Sequence, residues 1–160
     1  MSVIAWDGQS LAADRRSVNG NRIATVSKIF AVNDRIAGFV GRFDEGAECL
    51  AWLREGCHPD TFPPALRSTD NNTQLIVVLP DGWIWCYERT PMPVKFPPQK
   101  IAFGCGCDFA IAAMECGKTA TEAVMITCKF DAYCGNGVDA YRYTADGTIE
   151  HSDWMTPDQV

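Results

Sequence analysis

Turn signals constrain this chain more than any other feature. Asp7-Gly8 joins the alternating apolar runs Val3–Trp6 and Leu11–Ala13. Asn33-Asp34 leads into Arg35–Val40, which Gly41 ends. Pro80-Asp81-Gly82 separates Gln74–Leu79 from Trp83–Glu88, and Asp146-Gly147 separates Val138–Thr144 from Thr148–Ser152. Strands joined this tightly pair as antiparallel neighbours, because a parallel partner needs a crossover of about a dozen residues or more. Several runs are nearly continuous in apolar residues, the pattern of a sheet covered on both faces.

Between the strands the periodicity changes. Phe43, Ala47, Leu50, Ala51 and Leu53 recur at helical spacing, with Gly56 as the stop. Cys107–Cys116 reads as a second helix ended by Gly117. Thr119-Ala-Thr-Glu122 is a capping-box pattern opening a third, with Ala123, Val124, Ile126 and Thr127 on its apolar face. Ser17–Asn21 reads as a polar loop, Cys57–Asn72 as a loop rich in Pro and Thr, and Asp131–Gly137 as a loop. Thr90–Gln99 carries four prolines and cannot be a central strand. Lys100–Phe103 is a short strand running into Gly104-Cys105-Gly106. The order of strands, helix, strands, two helices, strands predicts an α+β fold. Two antiparallel sheets would pack face to face with helices outside them. One domain is expected over residues 1–153, with a polar tail over 154–160.

Composition excludes several functions. A formal charge of −6 argues against nucleic acid as a partner, since such binders need a basic face. No apolar run approaches membrane-spanning length, so no membrane partner is expected. Eight cysteines without a secretory leader predict reduced thiols and a cytoplasmic location. Cys105-Gly-Cys107 is too tight and too poor in partners for zinc, and His58 and His151 are far apart in sequence, so neither metal nor cofactor is expected.

The first residues carry the chemistry. If Met1 is removed, Ser2 presents a hydroxyl nucleophile and a free α-amine on one residue. The amine's ordinary pKa of about 7.7–8.0 suits a general base near neutral pH. An ordinary processed terminus on an edge strand has the same sequence. A retained Met1 would leave Ser2 without a free amine and block this chemistry.

Five segments, in order, resemble proteasome β-type peptidases, particularly the bacterial HslV group and its short phage-encoded relatives. They are Ser2-Val-Ile-Ala-x-x-Gly8 with Ala12-Ala13-Asp14-x-Arg16; Ser27-Lys28-Ile29-Phe30; Ile36-Ala37-Gly38-Phe39-Val40-Gly41; Phe103–Ala110; and Lys129–Gly135. The resemblance runs from Ser2 to about Tyr143. It implies an N-terminal nucleophile hydrolase with an αββα sandwich, assembled into homo-oligomeric rings and acting on peptide or protein substrates. No ATP-binding motif is present, so unfolding of large substrates would need a separate ATP-dependent unfoldase.

The resemblance also implies roles. Ser2 would attack a peptide carbonyl. Lys28 would favour the deprotonated hydroxyl and amine, and Asp14 would hold Lys28. Gly38 would donate its backbone N–H to the oxyanion. Asp131, Cys105 and Cys134 would surround the α-amine, with Arg16 in support. Each has an ordinary alternative: a structural Lys–Asp salt bridge, a strand-end glycine, a helix-capping aspartate, small core cysteines. The departures from the family are Ser2 for the usual threonine, Val3 for threonine, and cysteines at 105 and 134 for serines; a thiol is a weaker hydrogen-bond partner than a hydroxyl. A catalytically inactive structural or assembly subunit and a small-molecule amidase are the competing functions. For ring assembly, the Trp83/Trp85 hairpin and the helix around Trp52 are the expected exposed apolar surfaces.

Overall fold

The computed structural model describes residues 2–68, 70 and 72–154. Its first half contains β1 (Val3–Trp6), β2 (Ser10–Asp14), β3 (Arg16–Asn19), β4 (Arg22–Thr25), β5 (Ile29–Val32), β6 (Arg35–Val40) and α1 (Phe43–Arg54). Two 3-10 turns, Pro59–Thr61 and Pro64–Arg67, interrupt the following loop. The second half contains β7 (Gln74–Val78), β8 (Ile84–Tyr87), β9 (Val94–Phe96), β10 (Ile101–Gly104), α2 (Cys107–Glu115), α3 (Ala120–Phe130), β11 (Val138–Tyr143) and β12 (Ile149–Trp154).

The strands form two five-stranded antiparallel sheets, ordered β10-β1-β2-β11-β12 and β5-β6-β7-β8-β9, and a separate β3-β4 pair. The proline-rich segment supplies only β9, at a sheet edge, where a missing N–H costs no ladder bond. Successive side chains point to opposite faces of a strand, and the core divides accordingly. Ile4, Trp6, Leu11 and Ala13 of the first sheet share one apolar cluster with Ile36, Val40, Ile76 and Val78 of the second. Val3, Ala5 and Ala12 turn instead to Ala110 and Met114 of α2 and Ala123 and Val124 of α3. Ala37, Phe39, Leu75 and Val77 meet Leu50, Trp52 and Leu53 of α1. Tyr143 ties the two large sheets together: its hydroxyl donates to the Val78 carbonyl at 2.6 Å and accepts the Ile36 N–H at 2.9 Å.

Three sequence expectations change. Ser17–Asn21 is not a loop: Arg16–Asn19 pairs with Arg22–Thr25 around a turn at Gly20, whose φ of 59° places it in the left-handed region. Trp52 is not an assembly surface. It is 2% exposed, donates Nε1–H to the His58 carbonyl at 2.9 Å, and makes edge-on contacts with Phe62 and Tyr87. Trp83 is exposed, but the Trp85 ring is half-buried beneath Lys95 and Arg35. Trp154, read as the start of the tail, is the last residue of β12 and pairs with Val138. Residues 155–160 lie outside the described residues. The capping box forms as expected, with Glu122 N–H bonded to Thr119 Oγ1 and Thr119 N–H to Glu122 Oε2.

Candidate functional site

Asp14 ends β2 with no solvent exposure, and its carboxylate is surrounded by donors. Oδ1 accepts the Val3 N–H at 3.0 Å and Lys28 Nζ at 2.8 Å. Oδ2 accepts the Arg16 N–H and the Gly135 N–H, each at 3.1 Å. The β1–β2 hairpin brings the start of β1 back beside Asp14, so one carboxylate fixes the backbone immediately after Ser2. Lys28 directly precedes β5, and its carbonyl accepts the Phe39 N–H at 3.1 Å. Its side chain is nearly buried, and Asp14 supplies the counter-charge within that low-dielectric setting.

Arg16 braces the loop after α3. Its guanidinium donates to the Ala132 carbonyl at 2.7 Å and to Asn136 Oδ1 at 3.2 Å. Asn136 Nδ2 in turn donates to the Ala24 carbonyl and Thr25 Oγ1. Asn136 carries a φ of 62° and lies between two glycines. The Gly-Asn-Gly run is the one sequence signal that marked it.

Asp131, Cys105 and Cys134 converge. Their ligand atoms lie within 4.8 Å of one another. Cys105 Sγ donates to the Ser2 carbonyl at 3.4 Å and lies 4.0 Å from Cys134 Sγ. The hydrogen bond from Cys134 draws the Cys105 thiol down to about 7, against its partial burial. That same bond, together with burial and the Asp14 and Asp131 charges, pushes the Cys134 thiol up.

A cleft of about 1500 Å³ opens on this region, and its walls include Ser2, Lys28, Gly41, Thr73, Gly104 and Cys105. Ser2 itself is 4% exposed. Gly104, with φ of 93°, crosses the Ser2 carbonyl so closely that a Cβ there would overlap it. The expectation for Gly38 fails on geometry. Gly38 lies inside β6, paired with Ile29 and Ile76 on its two sides, and is absent from the cleft wall. The adjacent Phe39 N–H points at β5, so the Gly38 N–H points the other way, into the β7 ladder. A Cβ on Gly38 would run into Ile29 Cγ2 and the Lys28 carbonyl, which explains the glycine by close packing. Gly41, three residues on, does line the cleft. Its φ is 106°, and it packs against Thr73, whose Oγ1 donates to Glu45 Oε2. In the sequence Gly41 both ends the strand and closes the Ile36–Gly41 segment, and nothing local to that segment favours it over Gly38 as the donor.

Serine and lysine on one cleft wall, with a buried carboxylate behind the lysine, can support nucleophilic attack assisted by a nearby cation. No family model matches the chain, and no curated protein matches it. Among solved structures, Thiobacillus denitrificans BPH in complex with epoxomicin is similar, with a TM-score of 0.64 and 17% identity over 87% of this chain and 95% of that one. At that identity the likeness shows a common fold. No helix among the described residues is long and apolar enough to cross a membrane.

Proposed function

We propose that this chain is a peptidase of the N-terminal nucleophile type, resembling proteasome β-type and HslV peptidases, with Ser2 as nucleophile once Met1 is removed. Met1 lies outside the described residues. The observation that carries the reading is the Lys28–Asp14 pair: a lysine ammonium, almost wholly buried and paired at 2.8 Å, reaches the wall of the same cleft as Ser2. A buried ion pair is weak evidence for stability, because desolvating its two charges costs about as much as their attraction returns, or more. A use for the positive charge in the cleft it shares with Ser2 accounts for it better.

In the proposed reaction Ser2 Oγ attacks the scissile carbonyl carbon and its proton passes to the Ser2 α-amine, directly or through a water. Lys28 stabilises the negative charge building on Oγ. The carbonyl oxygen becomes an oxyanion, and the Gly41 N–H, in place of the Gly38 N–H, is the proposed donor to it. Collapse breaks the C–N bond, and the leaving amine takes the proton held by the α-amine. Water then attacks the acyl ester, delivers a proton back through the α-amine to Oγ, and releases the acid. Asp14 positions Lys28 and the Val3 amide. Asp131, Cys105 and Cys134 orient the amine, and Arg16 braces their loop.

The three apolar clusters support an αββα order of layers within a single domain. The resemblance further implies a homo-oligomeric ring and, for folded substrates, a separate unfoldase. The exposed stack of Phe109 on Phe130, centroids 6.1 Å apart, replaces the Trp52 helix as the apolar surface for assembly. Light scattering that finds a stable monomer at working concentration would remove the ring.

The test of the chemistry is intact mass and peptide mapping of Met1-free protein after incubation with epoxomicin, a peptide epoxyketone. The expected result is one adduct, on Ser2, absent from Ser2→Ala and Lys28→Ala. Lys28→Arg is also expected to fail, because a planar guanidinium does not replace a compact ammonium. Labelling at a cysteine, or undiminished labelling of Lys28→Ala, would show the mechanism to be wrong. No labelling of Met1-free protein would favour a structural subunit.

A further inference from the structure

In the sequence, Cys105 and Cys107 are too close together and too poor in partners for a zinc site, and the two histidines are far apart. The fold instead pairs Cys105 with Cys134, 29 residues away, and adds Asp131. We propose that Cys105, Cys134 and Asp131 form a three-ligand site for a thiolate-preferring, tetrahedral divalent cation of the Zn²⁺ type. The site is distinct from the ion pair at Asp14, and its fourth position opens toward the cleft.

The ligand set and its spacing both fit. Asp131-Ala-Tyr-Cys134 places two ligands with two residues between them, the short spacing of structural zinc loops. The loop is already turned for this: the Cys134 N–H donates to the Asp131 carbonyl at 3.1 Å and the Tyr133 N–H to Asp131 Oδ1 at 2.8 Å, leaving Oδ2 for a cation. The third ligand arrives from the turn between β10 and α2. A tetrahedral ion with metal–sulfur bonds of about 2.3 Å separates its two sulfurs by about 3.8 Å, and here they stand 4.0 Å apart. Gly106 keeps the approach clear, since a Cβ there would meet Cys134 Sγ at 3.2 Å.

Two thiolates and a carboxylate leave the loaded site with one net negative charge. The Arg16 guanidinium, bonded to the Ala132 carbonyl, brings a positive charge to the same loop. Cys134 is buried and Cys105 is exposed on the cleft wall, so the ion has an entry path and keeps an open position for water or a group of Ser2. Binding replaces two S–H bonds by two metal–sulfur bonds and releases two protons to solvent.

The site itself does not depend on the peptidase reading, and the test keeps the two apart. Reduced, metal-stripped full chain is titrated with Co²⁺. The expected result is one equivalent bound, with a thiolate-to-cobalt charge-transfer band and the visible bands of tetrahedral Co²⁺, both displaced by Zn²⁺. Cys105→Ser and Cys134→Ser should each reduce the charge-transfer band. Each should also weaken Zn²⁺ binding by more than the about 10- to 100-fold that loss of an outer-shell partner costs. Asp131→Asn should weaken binding while sparing the band per bound ion, and Cys107→Ser should change neither. If Cys134→Ser does not fold, Cys105→Ser and Asp131→Asn decide. An octahedral spectrum, no band, or a band that survives Cys105→Ser overturns the site. Given a working nucleophile, Zn²⁺ should also slow epoxomicin labelling of Ser2 in wild type and not in Cys105→Ser. Labelling absent with and without metal counts against the hydrolase reading and leaves the cobalt result standing.

Discussion

Two carboxylates near Ser2 are held in different ways. Asp14 is fully buried and accepts three backbone N–H groups and one ammonium, so both its oxygens are committed. Asp131 is half-buried, accepts the Tyr133 N–H, and otherwise faces two thiols. The first can hardly move without breaking the end of β2, the middle strand of its sheet, whereas the second has spare ligand capacity. Stability should therefore concentrate at Asp14, and adjustable chemistry at Asp131.

The largest expected effect breaks the first side. Asp14→Asn leaves Lys28 as a buried charge without its counter-ion and places an amide where four donors converge. Removing one partner of a buried pair costs about 3–5 kcal/mol, and urea unfolding should show a loss of that size. A loss below about 1 kcal/mol would mean that the node at Asp14 does not dominate.

The next effect lies away from both carboxylates and measures how firmly the two sheets are joined behind them. Tyr143→Phe removes the hydroxyl between the Ile36 N–H and the Val78 carbonyl, and stranding such groups costs about 1–3 kcal/mol. Burial pushes the Tyr143 and Tyr87 phenols up to about 12 in the folded protein, from an ordinary 10. Between those values the unfolded chain has released protons that the fold retains, so stability falls as pH rises from 10 to 12. Unfolding measured across that window should show the fall, and Tyr143→Phe should make it shallower, with Tyr87 carrying the remainder. A flat profile in wild type would refute the assignment.

These differences bear on what the sequence could reveal. The three helices were legible because their apolar spacing and the Thr119–Glu122 box are local signals. The β3–β4 pair was missed because its strands are polar and largely exposed, so no buried alternation marks them. Trp52 was misplaced because its burial depends on Phe62 and Tyr87, which come from other parts of the chain. Gly38 lies within the apolar run that Gly41 closes, and the sequence does not tell their roles apart; the backbone direction at Phe39, the positive φ of Gly41 and the cleft wall do. Cys105 and Cys134 were both named, but their 4.0 Å separation is a tertiary fact, and sequence proximity pointed to Cys107 instead.

A smaller effect tests whether α3 merely delivers Asp131 and Cys134 or is itself a weak point. Thr119→Ala removes one half of the capping box, which costs about 1 kcal/mol. Because the cap lies at the far end of α3 from Asp131, cobalt binding should be unchanged. A simultaneous loss of the cobalt band would show that the helix and the cysteine cluster are coupled over its whole length.

The smallest effect probes the adjustable side directly. In chelator, the double change Cys105→Ser, Cys134→Ser keeps the size of both side chains roughly constant. It replaces two weak thiol hydrogen bonds, at 4.0 Å and to the Ser2 carbonyl at 3.4 Å, with hydroxyls that bond more strongly at shorter range. What is lost is the apolar fit of the Cys134 sulfur in the cluster with Val3, Ala110 and Val138. A typical hydrogen bond contributes about 0.5–1.5 kcal/mol net, so gain and loss nearly cancel and the change in unfolding free energy should stay below about 1 kcal/mol. Zn²⁺ should then raise the melting temperature of wild type and leave the double variant unmoved. A loss as large as that of Asp14→Asn would place the cysteines in the rigid frame instead, and the contrast between the two carboxylates would collapse.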